Sequence, residues 1–156
     1  MTVIADETIK VCDVIFANCN IDYADLCSMD IDEKFFEKYE NTRIVNSFLF
    51  NFSKLQDKIG AKLFKSLLYD LKEIDDMSMP MIDVLHRLEK LHILESSDEW
   101  DTLREIRNVL SHEYPFDTNE RIENIKLALK GYVKLKNIYK RLKNETQRNR
   151  EKCHKR

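Results

Sequence analysis

The chain has 156 residues, enough for one domain, and a domain of that size buries roughly 70% of the surface its unfolded chain exposes, so it needs neither a disulfide framework nor a metal staple. Only 2 glycines and 2 prolines are present, too few to punctuate a strand-rich fold, while 43% hydrophobic residues argue against a disordered chain despite 35% charged ones. At a formal net charge of -2 the chain as a whole lacks the footprint of a nucleic-acid binder, yet ten acidic against three basic side chains fall in residues 1–40 and eleven basic against two acidic in residues 130–156.

Residues 1–27 read as a helix whose apolar positions are Val11, Val14, Ile15, Cys19 and Leu26. Cys12, Cys19 and Cys27, seven and eight residues apart, follow one helical stripe. No CxxC pair and no Cys/His cluster accompanies them, so we read free thiols in a reduced, cytoplasmic protein with no metal site and no cofactor. Ile44, Phe48, Phe52, Leu55 and Ile59 form the next stripe, which Leu63, Leu67, Leu71 and Ile74 continue past Gly60, read as a kink or break. Met81, Leu85, Leu88 and Leu91 make a short stripe behind Pro80, which suits a first helical turn. Trp100, Leu103 and Leu110 make another. Ile125, Leu129, Tyr132, Leu135, Tyr139 and Leu142 make a long one. Each has the 3.6-residue period of an amphipathic helix.

Asp30-x-x-Glu33, Ser96-x-x-Glu99 and Asp117-x-x-Glu120 read as helix starts of capping-box type. His86 and His92, six apart, read as surface or boundary positions, and nothing in their spacing makes them metal ligands. Taken together, the stripes predict an all-α fold, a mostly antiparallel bundle of about five or six helices. We place a single helical-bundle domain at residues 1–143 and a basic, mobile tail at 144–156. No apolar run approaches the ~20 residues of a membrane span, and the acidic N-terminus has no signal-peptide pattern.

The segment Arg107-Asn108-Val109-Leu110-Ser111-His112-Glu113-Tyr114-Pro115 carries the chemistry. Pro115 disfavours helix at Tyr114, so the helix should end around Ser111 to Glu113. A guanidinium grips phosphate in a planar fork, and an imidazole moves protons near neutral pH. His112 can serve as base for a ribose 2′-OH or as acid for the leaving oxygen, with Arg107 stabilising charge on the phosphate. Asn108 can orient phosphate or base, and Tyr114 can stack on RNA. In an unbroken helix, residues five apart point about 140° from each other. Arg107 and His112 therefore share a pocket only if the helix unwinds near His112 or if two copies of the chain meet. The plainer alternatives are an Arg107 ion pair with Asp101 or Glu105, an imidazolium favoured at a helix C-terminus, and a Tyr114 that only pins the loop.

Arg107-Asn108-x-x-x-His112-x-Tyr114 resembles the R-x4-H-x-Y signature of HEPN proteins of the HepT type. The resemblance extends to Trp100 and the helical plan and covers residues 35 to 143. It implies a HEPN-like homodimer whose paired motifs line an interface cleft. It also implies a metal-independent endoribonuclease toxin acting on RNA, with transfer RNA as a candidate target. Such a toxin is neutralised by a cognate MNT nucleotidyltransferase antitoxin that transfers AMP to the motif tyrosine. On that basis Arg107 and His112 are catalytic, Asn108, Arg104 and Tyr114 support them or bind RNA, and Tyr114 is the modification site. The basic end of the last helix adds to the candidate RNA surface, and Arg43, Asn46, Lys54 and Asp57 are polar positions of the second helix that could line the cleft. The alternative is a non-catalytic nucleotide- or partner-binding subunit of a minimal nucleotidyltransferase. A third reading is a helical scaffold used only for interaction.

Overall fold

The computed structural model describes residues 3–111 and 117–154. Every regular element among them is helical: α1 (Ala5–Cys27), a 3-10 turn (Phe35–Glu37), α2 (Tyr39–Lys58), α3 (Phe64–Asp70), α4 (Met81–Lys90), α5 (Ser97–Ser111) and α6 (Thr118–His154). Gly60 lies in a π-helical turn, Ile59–Leu63, that joins α2 to α3, so the chain widens there instead of breaking.

Side-chain pairs set the directions of the helices. Between α1 and α2, Ser47 donates to Asp22 (2.6 Å), while Cys19 Sγ, further back along α1, donates to Phe48 O (4.0 Å). Between α1 and α6, Tyr132 donates to Asn20, Tyr139 to Asp13 (2.6 Å), and Arg150 pairs with Asp6. Between α5 and α6, Arg141 pairs with Glu99 (2.9 Å), and Leu103 and Ile106 close on Gly131. In each pair one number rises as the other falls, so the helices run antiparallel.

The apolar stripes of α2, α5 and α6 point inward, whereas in α1 the buried face runs through Cys12, Ile15, Phe16, Cys19 and Leu26 and leaves Val11, Val14 and Cys27 exposed, contrary to the reading of those positions as one stripe. Phe48, Phe52, Leu55, Ile59, Leu63 and Leu67 are buried, as are Trp100, Leu103, Ile125, Tyr132, Leu135, Tyr139 and Leu142. Aromatic rings join α1, α2 and α6: Phe16 stacks on Tyr139 (centroids 4.5 Å), and Phe48 meets Tyr132 edge-on (5.5 Å). His86 and His92 are exposed. His92 adopts a left-handed backbone (φ 61°) just past α4, where Ile93 N donates to Leu88 O (2.9 Å) and closes the helix end.

Two of the three expected helix starts are present. Asp98 N donates to Ser96 Oγ (3.0 Å) at α5, and Asn119 N donates to Asp117 Oδ1 (2.9 Å) at α6. The start expected at Asp30 does not form. Asp32 takes the Lys34 amide instead (2.9 Å), and the segment makes only the short 3-10 turn before α2. The boundary drawn between residues 143 and 144 matches no helix end. Beyond it α6 buries Thr146, and Asn149 donates to the Asp70 carbonyl (3.3 Å). No described helix is long and apolar enough to cross a membrane.

Candidate functional site

α5 begins where Ser96 caps it and Glu89 accepts from Ser97 N (3.3 Å). Its apolar face, Trp100, Leu103 and Ile106, is buried against the bundle. With that face fixed, Arg104, Arg107 and Asn108 fall along the flank that looks toward α2 and the π-helical turn. They line a groove of about 340 Å³ together with Gln56, Asp57, Gly60, Ala61, Met81 and Trp100.

Two structural features hold this groove open. Gly60 lies against the Trp100 indole so closely that a Cβ there would sit 2.9 Å from Trp100 Cζ2. Buried Gln56 ties the two walls together: with its amide turned to suit both neighbours, its nitrogen donates to Leu103 O (3.0 Å) and its oxygen accepts from Arg104 N (3.3 Å). A buried amide with both ends satisfied fixes the spacing of two helices in a way an apolar side chain would not.

Across the groove, Arg107 Nη2 donates to Asp57 Oδ2 at 2.9 Å. The sequence suggested Asp101 or Glu105 as its partner. Those residues are six and two positions away on the same helix, offsets that do not bring side chains together, so the arginine reaches to α2 instead. Asp101 lies 3.9 Å from Arg104. Arg107 Nε is buried and meets no hydrogen-bond partner among the described residues.

Of the residues singled out from the sequence, Arg104, Arg107, Asn108 and Asp57 share one groove. Arg43 and Lys54 lie exposed on α2, whose outer face leads toward it. His112 and Tyr114 fall outside the described residues. Gln56 and the Trp100–Gly60 contact were not anticipated as parts of the site. Gly60 was the only local signal for them, a glycine set within an apolar stripe.

A second cavity, about 600 Å³, lies at the far end of α6 between Val3, Ile4, Tyr69, Asp70, Asn149 and Cys153. Of its two carboxylates, Asp70 and Asp75, the first is already engaged: Asp70 accepts from Ile4 N (3.2 Å) and Ala5 N (3.1 Å). Among the described residues no group of three His, Cys, Asp or Glu side chains could hold a metal ion. Searches of family models, curated proteins and solved structures return no match to the chain.

Proposed function

We propose that the chain is a metal-independent endoribonuclease toxin of the HEPN class, acting on RNA and working as a HEPN-like homodimer. In this reading a cognate MNT nucleotidyltransferase antitoxin silences it by AMP transfer to Tyr114. The observation that carries the reading is Arg107 at a groove with Arg104 and Asn108, in the last turns of α5, with His112 and Tyr114 following directly in sequence.

The chemistry follows from those side chains. His112 takes the proton of a ribose 2′-OH, and the 2′-oxygen attacks phosphorus. The bond from phosphorus to the 5′-oxygen breaks, and that oxygen leaves with a proton from the second imidazole of the dimer. Arg107 stabilises the charge that builds on the phosphate. The products are a 2′,3′-cyclic phosphate and a free 5′-hydroxyl, and DNA is resistant because it has no 2′-OH. AMP on Tyr114 would place negative charge and bulk where the substrate phosphate must lie.

The test uses wild type and His112→Ala, each incubated with total transfer RNA in EDTA. Intact mass first establishes that Tyr114 carries no AMP. Cleavage by wild type alone, with cyclic-phosphate ends, is the expected result. Intact RNA with unmodified wild type removes transfer RNA as the target class. A second reading is the non-catalytic subunit of a minimal nucleotidyltransferase, in which Arg107 and His112 grip a nucleotide or the partner without cleaving anything. Tight partner binding without cleavage would select it.

A further inference from the structure

The outer face of α2 carries an unusual set of side chains. Tyr39, Arg43, Phe50, Lys54 and Asp57 recur at steps of four, seven, four and three, which puts them on one side of the helix. Phe50 is 67% exposed and Tyr39 76%, although Phe48 and Phe52 on the same helix are fully buried. The core therefore does not need the Phe50 ring. Lys54 Nζ sits 5.8 Å from its centroid, and one turn further on Asp57 reaches Arg107 at the groove.

We propose that this face is a track for unpaired RNA, with the Phe50 ring as a stacking platform for one base and Lys54 and Arg43 as contacts for the flanking phosphates. This deepens the nuclease reading and rests on it, since it names the substrate class: a strand whose bases are free to leave the stack. From Phe50 to Asp57 the helix rises about 10 Å, so a strand with its scissile phosphate at Arg107 runs its neighbouring nucleotides over Lys54 and Phe50. Duplex RNA keeps its bases inside the helix and offers none to the ring. Aromatic rings interleaved with cations are the means by which single strands are held.

A second copy of the chain fits this face less well. A standard protein interface buries about 800 Å² on each partner, whereas one aromatic side chain supplies roughly 150–250 Å². Arg43 lies between Tyr39 and Phe50, so their rings do not form a continuous apolar patch.

The experiment measures binding of full-length wild type, Phe50→Ala, Phe50→Trp and Lys54→Ala to an uncleavable 2′-O-methyl oligonucleotide, single-stranded and annealed, by fluorescence anisotropy in EDTA. Wild type should prefer the single strand. Phe50→Ala should weaken that binding about tenfold with an unchanged thermal midpoint, and Phe50→Trp should restore it. Lys54→Ala should lower the salt dependence by about one ion. Equal binding by Phe50→Ala, a preference for duplex, or no binding at all overturns the track. So does a Phe50→Ala protein that changes from dimer to monomer in sedimentation while binding the strand normally, which would make the face a contact between copies. Cleavage by wild type with unaffected Phe50→Ala binding would remove the track and leave the nuclease. Phe50-dependent strand binding without cleavage would do the reverse.

Discussion

Asp57 accepts a hydrogen bond from Arg107 at 2.9 Å across fifty residues of sequence, joining α2 to the helix that leads into the motif. Both side chains are partly exposed, 55% for the aspartate and 36% for the arginine, so the pair is screened and contributes less than about 1 kcal/mol to stability. Its larger effect is on ligands, because a carboxylate at the guanidinium competes with an incoming phosphate. Asp57→Asn should unfold within about 1 kcal/mol of wild type and bind RNA more tightly at low salt. Anisotropy titrations over a salt series check this. Weaker binding by Asp57→Asn would mean that the carboxylate positions Arg107 for the phosphate instead of competing with it.

This pair marks the limit of what the sequence discloses. The inward faces of α2, α5 and α6 are legible because core packing imposes a 3.6-residue period on Phe48, Trp100, Tyr132 and their neighbours. The shared flank of Arg104, Arg107 and Asn108 follows from their spacing on one helix. The partner of Arg107 does not, because it is supplied by tertiary packing: Asp57 is legible as a polar position of the second helix that could line the cleft, but not as the carboxylate that meets Arg107. The missing helix at Asp30 has the opposite cause: a local competitor, Asp32, took the turn that the capping pattern assigned elsewhere. His112 and Tyr114 rest on residue chemistry and on the resemblance, since both lie outside the described residues.

Gly60 and Gly131 should respond differently to alanine. A Cβ on Gly60 meets Trp100 Cζ2 at 2.9 Å. The indole is 2% exposed and packed edge-on to Phe64 at 4.6 Å, so it has little room to retreat. Gly60→Ala should cost about 1–3 kcal/mol through overpacking, even after the roughly 1 kcal/mol by which alanine favours a helix. At Gly131 the closest atom is Ile106 Cδ1, the end of a flexible side chain at 3.0 Å. There the helical gain offsets the crowding, and Gly131→Ala should lie within about 1 kcal/mol of wild type. Urea unfolding of the two variants decides, and equal destabilisation would contradict the Trp100 contact.

Asp70 caps α1 from the far end of α3. Its two oxygens accept from Ile4 N and Ala5 N, amides that have no partner within their own helix. Asp70→Ala should cost about 1 kcal/mol, as loss of an N-cap does, and Asp70→Asn less, because the amide keeps one acceptor. Hydrogen exchange gives the local reading: the Ile4 and Ala5 amides should exchange faster in Asp70→Ala while those in the middle of α1 do not change. Unchanged exchange at Ile4 and Ala5 would show that other acceptors serve them.

Burial divides the four cysteines into two pairs. Cys12 and Cys19 are buried, and Cys27 and Cys153 are exposed. At pH 8 a thiol reagent should modify two sulfurs quickly and the other two only on unfolding. Burial pushes the Cys12 thiol from its ordinary 9.0 up to about 11 and the Cys19 thiol up to about 12. Below pH 9 both states hold these protons, and the stability they carry is complete. As pH rises past 9 the unfolded thiols ionise while the folded ones do not, so the unfolded state gains and stability falls until the folded thiols titrate in turn. Tyr132 and Tyr139 act with the same sign, since burial, together with Cys19 for the first and the Asp13 hydrogen bond for the second, pushes their hydroxyls up as well. Urea midpoints should therefore decline between pH 8.5 and 10.5. Cys12→Ala/Cys19→Ala should lessen the slope without abolishing it, because the tyrosines remain. A slope as steep in the double variant as in wild type would assign the whole alkaline loss to the tyrosines.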